Sequence, residues 1–485
     1  MKLTNVAVMA VVLCIAGSGG ALLISEQDYF DIFHDDGVSI DVDGTVGTVN
    51  GGGKYTKGDT VTLKAVAPSG YQFKEWKENG RSISTNDTLT FIAENNRHIS
   101  AEFIKIHQIR LSAEGKGLNG YGGAGAYLDK DTVNLTANLK PGYRAEWYSG
   151  NVLLSSGNTY SFTATSDLSI VLKAKVIYDA SFTWTKSASV VPITLTLIPS
   201  VTAEVQSSTW VIKDTFSGDT LFAYGSDGYR PAFTNPKALT ITHTVIYEDG
   251  HKEVRTENVI VNGKVNMSYT WSYFYTKTYD LFGHRIGIPM VGTHTISYNL
   301  DFERYATYRL SDVAIKTGLN TSKGMQNKAT LLTTYDDPYI MSLANYINNL
   351  TRDMNDTDRV SCALSFVQSL NYTSDPNSRG YPDYWKYAYE TLFDHGGDCD
   401  DMAILFVSIV EAMGYDAVLF CVPGHLATGV HVDDCNGKYY TYKGIKYYLA
   451  DPTNNHLSGQ LAYNLGDGRD DWSASDVTQV LAVGR

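Results

Sequence analysis

Hydrophobic and polar residues alternate with a period of two along most of the chain ahead of Asp336-Asp337-Pro338. That period turns one face of a strand inward and the other to water, so it predicts β-structure. Gly58-Asp59-Thr60-Val61-Thr62-Leu63 is one such run, and it returns as Lys130-Asp131-Thr132-Val133-Asn134-Leu135. Gly70-Tyr71 followed by Trp76 returns as Gly142-Tyr143 followed by Trp147, and Leu89-Thr90-Phe91 returns as Tyr160-Ser161-Phe162. An offset of about 72 residues predicts two small all-β modules, residues 37–105 and 106–176. A tryptophan after Gly-Tyr on a strand reads as core rather than as a sugar-binding platform.

The alternation continues through residues 177–263, in Ile193–Ile198, Ser208–Ile212, Ala238–Tyr247 and Val254–Val261. Glu248-Asp249-Gly250 is a hairpin signal between the last two, and the set predicts an immunoglobulin-like sandwich. Between Met267 and Leu310, YTWSYFY, TISYNLDF and YATYRL read as further strands. The period changes after Asp336-Asp337-Pro338, where Tyr339–Leu350 and Asp356–Leu370 carry Leu, Ile, Val and Phe at helical spacing. Gly396-Gly397 reads as a tight turn into an Asp398 N-cap. Cys399 then opens a helix apolar on nearly every side, which ends at Gly414. Tyr415–Val422, the HLATGVHV run from His425 and Tyr447–Ala450 read as strands. Helices followed by strands make residues 264–485 an α+β domain with a β-extension at its start.

Three chemically capable side chains stand at the edges of those last elements: Cys399, His425 and Asp451. A thiol at a helix N-terminus faces unpaired N–H groups and the positive end of the dipole, which favours thiolate. Asp400 and Asp401 oppose this as neighbouring carboxylates, so an imidazolium partner has to outweigh them. An Asp beside the imidazole would hold the tautomer that leaves its other nitrogen for the thiol. His431 competes as the base, since it lies six residues beyond His425 on the same face by period two. His425 is preferred because it follows the Pro423-Gly424 turn at the head of its strand. His395 is assigned to the surface. Helix capping accounts for Asp398, Asp400 and Asp401 at least as well as a metal site would, so neither metal nor cofactor is expected.

The motifs GGDCDD, GYDAVLF, PGHLATGV and YYLADPT occur in that order, with FVQSLNY (Phe366–Tyr372) and YWKYAYETL (Tyr384–Leu392) upstream. Together they resemble the transglutaminase-like branch of the papain-type cysteine hydrolase superfamily, over roughly the last third of the chain. The resemblance implies Cys399 as nucleophile, His425 as base and Asp451 as orienting acid. It also implies a thioester formed at a peptide or glutamine side-chain amide. Leu426-Ala427 follows His425 where many relatives carry an aromatic, a departure that bears on the shape of the acyl-donor groove. An oxyanion hole is expected from the Cys399 N–H, with a second donor in Trp385–Tyr389. In the first module Gly70-Tyr71-Gln72-Phe73-Lys74-Glu75-Trp76 and the closing Ile99–Phe103 resemble the internalin B-type repeat of bacterial and archaeal surface proteins.

Length and charge narrow the setting. At 485 residues the chain needs several domains, and a formal net charge of −13 argues against nucleic acid or anionic lipid as partner. Val6–Ile24 is an uncharged, mostly apolar run behind Lys2, so residues 1–25 read as a signal peptide or an N-terminal membrane anchor. Either exports the rest, to the extracellular space or the cell surface. Sequons at Asn86, Asn134, Asn266, Asn320, Asn349, Asn355 and Asn371 agree with export. Beyond Cys14 there are Cys362, Cys399, Cys421 and Cys435, and a Cys421–Cys435 disulfide across a hairpin is open.

The reading is a multidomain surface protein, all-β modules followed by a transglutaminase-like domain that acts as protease, deamidase or cross-linking enzyme. Its expected partners are a protein or peptide substrate, and a cell-surface or cell-wall polymer touched by the β-modules. Membrane contact is expected only through the N-terminal segment. The alternative is a catalytically retired adhesin or binding protein.

Overall fold

The computed structural model describes residues 37–225, 230–318, 320–453, 464–467 and 472–484. Residues 1–25, with the expected signal or anchor and Cys14, lie outside that set. Among the described residues no helix is long and apolar enough to cross a membrane. The chain divides between Ile177 and Tyr178 into two units.

In the first unit the two β-repeats share a strand. Arg97–Glu114 pairs through its first half in parallel with Gly37–Gly44 and antiparallel with Tyr71–Glu78. Through its second half it pairs antiparallel with Gly125–Leu128 and in parallel with Leu168–Val176. Each repeat adds a three-stranded sheet: Thr48–Asn50, Thr60–Val66 and Thr88–Ile92 in one, Leu118–Gly122, Thr132–Leu139 and Thr159–Thr163 in the other. The alternation TVTLKAV buries Val61, Leu63 and Ala65 and leaves the residues between them in water. Trp76 and Trp147 are each fully buried at the centre of their module. Their indole N–H groups donate to Asn86 O at 2.9 Å and Gly157 O at 2.8 Å, so both are satisfied core residues.

The second unit begins with a sandwich. Phe182–Lys186, Ile193–Pro199 and Ala232–Phe233 form one sheet; Thr220–Gly225, Val205–Asp214, Lys237–Tyr247 and Lys252–Val261 form the other, in that order. Leu195, Leu197, Trp210, Ile241 and Val259 fill the space between. His243 is a buried strand residue stacked on Trp210 at 3.9 Å, and His251 sits after the hairpin turn beside Glu253.

A long hairpin follows, Lys264–Leu281 against His284–Asp301. Tyr269, Trp271 and Tyr273 alternate on its buried face, and the first two rings pack on Phe366 at 5.6 and 5.2 Å. YATYRL, expected as a strand, is the end of a helix, Phe302–Leu310. Asp301 caps it by accepting from Arg304 N at 3.0 Å, and Phe302, Tyr305 and Ala306 are its buried face at helical spacing. Tyr305, on that buried face, stacks on Phe393 at 4.0 Å. The helical part therefore starts at Phe302 rather than at Asp336, and includes Val313–Lys316 and Ser322–Leu332. Asp337 keeps its capping role, accepting from Tyr339 N at 2.9 Å to open Pro338–Leu350.

The centre of the C-terminal region is the helix Cys399–Met413, buried from Asp400 through Glu411. It packs on the helices Pro338–Leu350, Asp356–Gln368 and Ala388–Asp394 and on the strands His425–Val430 and Ala417–Val422. Those strands belong to a five-stranded sheet in the order Tyr439–Tyr442, Ile445–Ala450, His425–Val430, Ala417–Val422, Gln479–Ala482. Gly414 ends the helix with φ +103, where a side chain would be strained. All-β modules followed by a helical region with its own sheet is the order the sequence predicts.

Candidate active site

Gly396-Gly397, expected as a tight turn, is a two-residue strand paired in parallel with Asn371-Tyr372. Gly396 has φ +152, and a Cβ there would sit 1.9 Å from Asn371 O, so this close backbone approach requires glycine. Asp398 then caps the helix, with its N–H donated to Asp401 Oδ2 at 3.3 Å. Cys399 stands half-buried in the first helical turn, where its own N–H has no acceptor within the helix.

His425 arrives by sheet pairing. It heads a strand whose register sets Thr428 opposite Ala450, which brings Asp451 and Thr453, just beyond the partner strand, to the level of His425. His425 Nε2 lies 2.8 Å from Asp451 Oδ2 and 3.3 Å from Thr453 Oγ1. Asp451 is almost wholly buried and further held by Trp472 Nε1 at 3.0 Å, Thr453 N at 3.0 Å and Thr453 Oγ1 at 2.5 Å. Gln368 Nε2 donates to its backbone carbonyl at 2.8 Å. Burial alone would raise the Asp451 pKa, but the His425 bond and charge, then Thr453 and Trp472, bring it below the usual carboxylate range.

Burial would likewise lower the His425 pKa. Its bonds to Asp451 and to the Cys399 thiol outweigh that and raise it to about 9. With Nε2 on Asp451, Nδ1 is the nitrogen left for the thiol. Cys399, His425 and Asp451 are thus brought together from a helix start, a strand start and a strand end. The thiol itself lies 3.8 Å from Asp400 Oδ1. An imidazolium fixed by a buried carboxylate beside a thiol can stabilise a thiolate and later return a proton to a leaving group.

The two other histidines weighed for the site, His431 and His395, stand elsewhere. His431 lies just beyond the strand's end at Val430; its ring faces Tyr447 at 6.3 Å, is bonded to Lys446 O at 3.0 Å and is partly exposed. His395 is not a surface residue. It takes φ +59 at the end of Ala388–Asp394, packs edge-on against Tyr269 at 4.9 Å, and burial lowers its pKa.

The carboxylates beside Cys399 behave differently from the sequence expectation. Asp401 is fully buried and paired with Lys386 Nζ at 2.7 Å; burial raises its pKa to about 6 against the opposing pull of Lys386. Asp400 is also buried, and burial together with Asp398 raises its pKa well above the normal range, favouring the neutral acid. Neither is a bare anion beside the sulfur. Asp375 joins them from the segment after Tyr372. It is buried, accepts from Tyr384 N at 2.6 Å, and is raised by burial and then by Asp401 and Asp398. Capping thus explains Asp398 and Asp401 but not Asp400 or Asp375.

The second oxyanion donor does not come from the backbone of Trp385–Tyr387. Those N–H groups are spent on Lys316 O, on Asp401 Oδ1 and on Glu390 Oε2. Nor is the Cys421–Cys435 disulfide formed: both thiols are free, Cys421 against Met325 Sδ at 3.9 Å and Cys435 against Leu465 O at 3.6 Å. Trp472, Asp375 and Lys386 are site-region residues that the sequence reading missed. For Lys386 the signal was a lone lysine inside the aromatic run YWKYAY, a charge that must find a buried partner.

Residues 38–107 match the family of the divergent internalin B B-repeat domain, which supports the reading of a surface protein. No curated protein matches the chain. Among solved structures, the titin domains A168–A170 share 10% identity over 47% of this chain and 97% of theirs, with a TM-score of 0.14. The tetra-tandem repeat from the extending region of a large adhesion protein shares 9% over 50% and 86%, with a TM-score of 0.14. A Parabacteroides distasonis protein provisionally classed as a protease shares 10% over 75% and 70%, with a TM-score of 0.20. At those scores the three likenesses carry no argument about this chain. Residues 38–107 are thus similar to that repeat family.

Proposed function

We propose that residues 264–485 form a transglutaminase-like cysteine hydrolase or acyltransferase, carried on the β-modules of an exported surface protein. The observation that carries this reading is the Nε2–Oδ2 contact of 2.8 Å between His425 and Asp451, beside the half-buried Cys399 thiol, which helps to raise the imidazole's pKa. In the reaction, Cys399 thiolate attacks the carbonyl carbon of a peptide or glutamine side-chain amide. The tetrahedral oxyanion is met by the Cys399 N–H at the helix start. His425 delivers its proton to the leaving amine, the C–N bond breaks, and a thioester remains. Water attacks that thioester in a protease or deamidase, with His425 taking its proton; an amine attacks it in a cross-linking enzyme. Hydrolysis is favoured because transfer to an amine requires water to be excluded, and Cys399 is half-buried rather than enclosed.

The test is alkylation of Cys399 by iodoacetamide against pH, read by mass spectrometry, with His425→Ala as control. Labelling that stays fast well below the free-thiol pKa of about 8.5 and slows in the control supports an activated pair. Labelling only near that pKa, unchanged in the control, favours the retired adhesin, and binding assays on the β-modules follow.

A further inference from the structure

We propose that Lys386 is a positioning residue for Cys399: its ammonium bridges the segment before the nucleophile to the helix turn after it. This rests on the catalytic reading above. Lys386 is fully buried, as is Asp401. Its Nζ lies 2.7 Å from Asp401 Oδ2 and 3.2 Å from Gly396 O, so one group holds residue 396 on one side of the cysteine and residue 401 on the other. Its backbone N–H also donates to Asp401 Oδ1 at 2.8 Å. Asp401 in turn accepts from Asp398 N at 3.3 Å and fills the space where a Gly397 Cβ would stand, 2.3 Å from Oδ2. Thr391 Oγ1 donates to its carbonyl at 3.4 Å. Every residue from Gly396 to Asp398 thus leans on Asp401 or on Lys386, and the thiol is carried by the next residue.

Stability alone is a weak reason for such a pair, because a buried ion pair is often no better than well-packed apolar residues. Geometry and charge give a stronger one. Without Lys386, Asp401 either stays charged and opposes a thiolate two residues away, or takes a proton and loosens its hold on Asp398 N–H. Both outcomes cost thiolate at the attacking position. The charged groups facing Lys386 are Asp401, Asp394 at 3.6 Å, and Arg379, which is itself bonded to Asp394; Asp375 and Asp398 stand next to Asp401. Among these, Lys386 is the group that joins Asp401 to the backbone of the cysteine segment.

The experiment uses the full chain as wild type, Lys386→Met, Asp401→Asn and the double variant. Each is read by iodoacetamide labelling of Cys399 against pH, together with amide hydrogen exchange over residues 396–399. Lys386→Met should slow labelling at pH 6–7 by about tenfold and quicken exchange over residues 396–399. The double variant, which removes both charges while Asn keeps an acceptor for Asp398 N–H, should recover part of that loss. A folded Lys386→Met protein with the wild-type labelling profile overturns the proposal. If Lys386→Met does not fold, Asp401→Asn decides: slowed labelling supports the clamp and a wild-type profile overturns it. Should wild-type Cys399 itself label only as a free thiol, the catalytic reading falls separately. The clamp is then judged by exchange at 396–399, which must still quicken in the variants.

Discussion

Trp472 donates its indole N–H to Asp451 Oδ2 across 3.0 Å, and the same oxygen holds His425 Nε2 at 2.8 Å. The tryptophan removes one lone pair from competition and fixes the carboxylate against the imidazole. Replacing it by phenylalanine keeps the ring but removes the donor, a charge-assisted bond worth roughly 1.5–3 kcal/mol. Trp472→Phe should therefore loosen Asp451, shift the His425 titration seen by NMR, and slow Cys399 alkylation at pH 6 several-fold. An unchanged His425 titration would show that the carboxylate is held without the indole.

His425 links the site to stability. Its folded pKa of about 9 lies above the ordinary value near 6.5, so the folded state holds the proton more tightly. The stabilisation is fully present below pH ~6.5 and is lost as pH rises through about 9. It amounts to at most about 3 kcal/mol. Asp451, lowered by the same contact, acts in the opposite sense: its contribution is lost as pH falls through its depressed pKa. These are two views of one interaction and do not add. Urea unfolding of wild type and His425→Ala from pH 5 to 10 should show a stability difference that shrinks as pH rises from about 6.5 to about 9 and levels off beyond it. A difference that stays flat across that range would contradict the raised pKa.

Lys316 and Glu390 form a second buried pair, 2.6 Å apart and both fully buried, with Tyr384 Oη 3.0 Å from the ammonium. Glu390 Oε2 also accepts from Tyr387 N at 3.1 Å, so the pair ties the Ala388–Asp394 helix to Val313–Lys316. Removing one partner leaves a buried charge, and Lys316→Met should cost about 3–5 kcal/mol by urea unfolding. Lys316→Met with Glu390→Gln should cost clearly less than the two single changes summed, because the double change leaves no charge unpaired.

The shared strand Arg97–Glu114 couples the two β-repeats. Trp147→Ala empties the centre of the second module and should cost about 3–5 kcal/mol. Because that strand also carries Ile99 and Ala101 into the first core, exchange should quicken in Thr60–Val66 as well as in Thr132–Leu139. Exchange that quickens only after residue 106 would mean the modules open independently.

Much of this architecture is legible in local pattern. Alternation at period two marks Thr60–Val66 and Thr132–Leu139 because a pleated strand with one wet face needs that spacing. The helix from Cys399 is legible from Asp398, the apolar run and Gly414. YATYRL is where pattern misleads: its tyrosines suit a strand, and only the Asp301 cap and the ring of Phe393 select the helix.

The sequence by itself determined the order of the elements and the positions of Cys399, His425 and Asp451 at their edges, since capping, periodicity and turn chemistry act over a few residues. Tertiary structure alone decided that the Cys421 and Cys435 thiols stand apart and that Trp472 holds Asp451. It also decided the charge state of the acids around the thiol. Asp400 is driven toward neutrality by burial, and Asp401 keeps its partner in Lys386, fifteen residues upstream. Charge and hydrogen bonding in a low-dielectric interior depend on distances of a few ångströms between residues far apart along the chain, and local sequence pattern does not encode those distances.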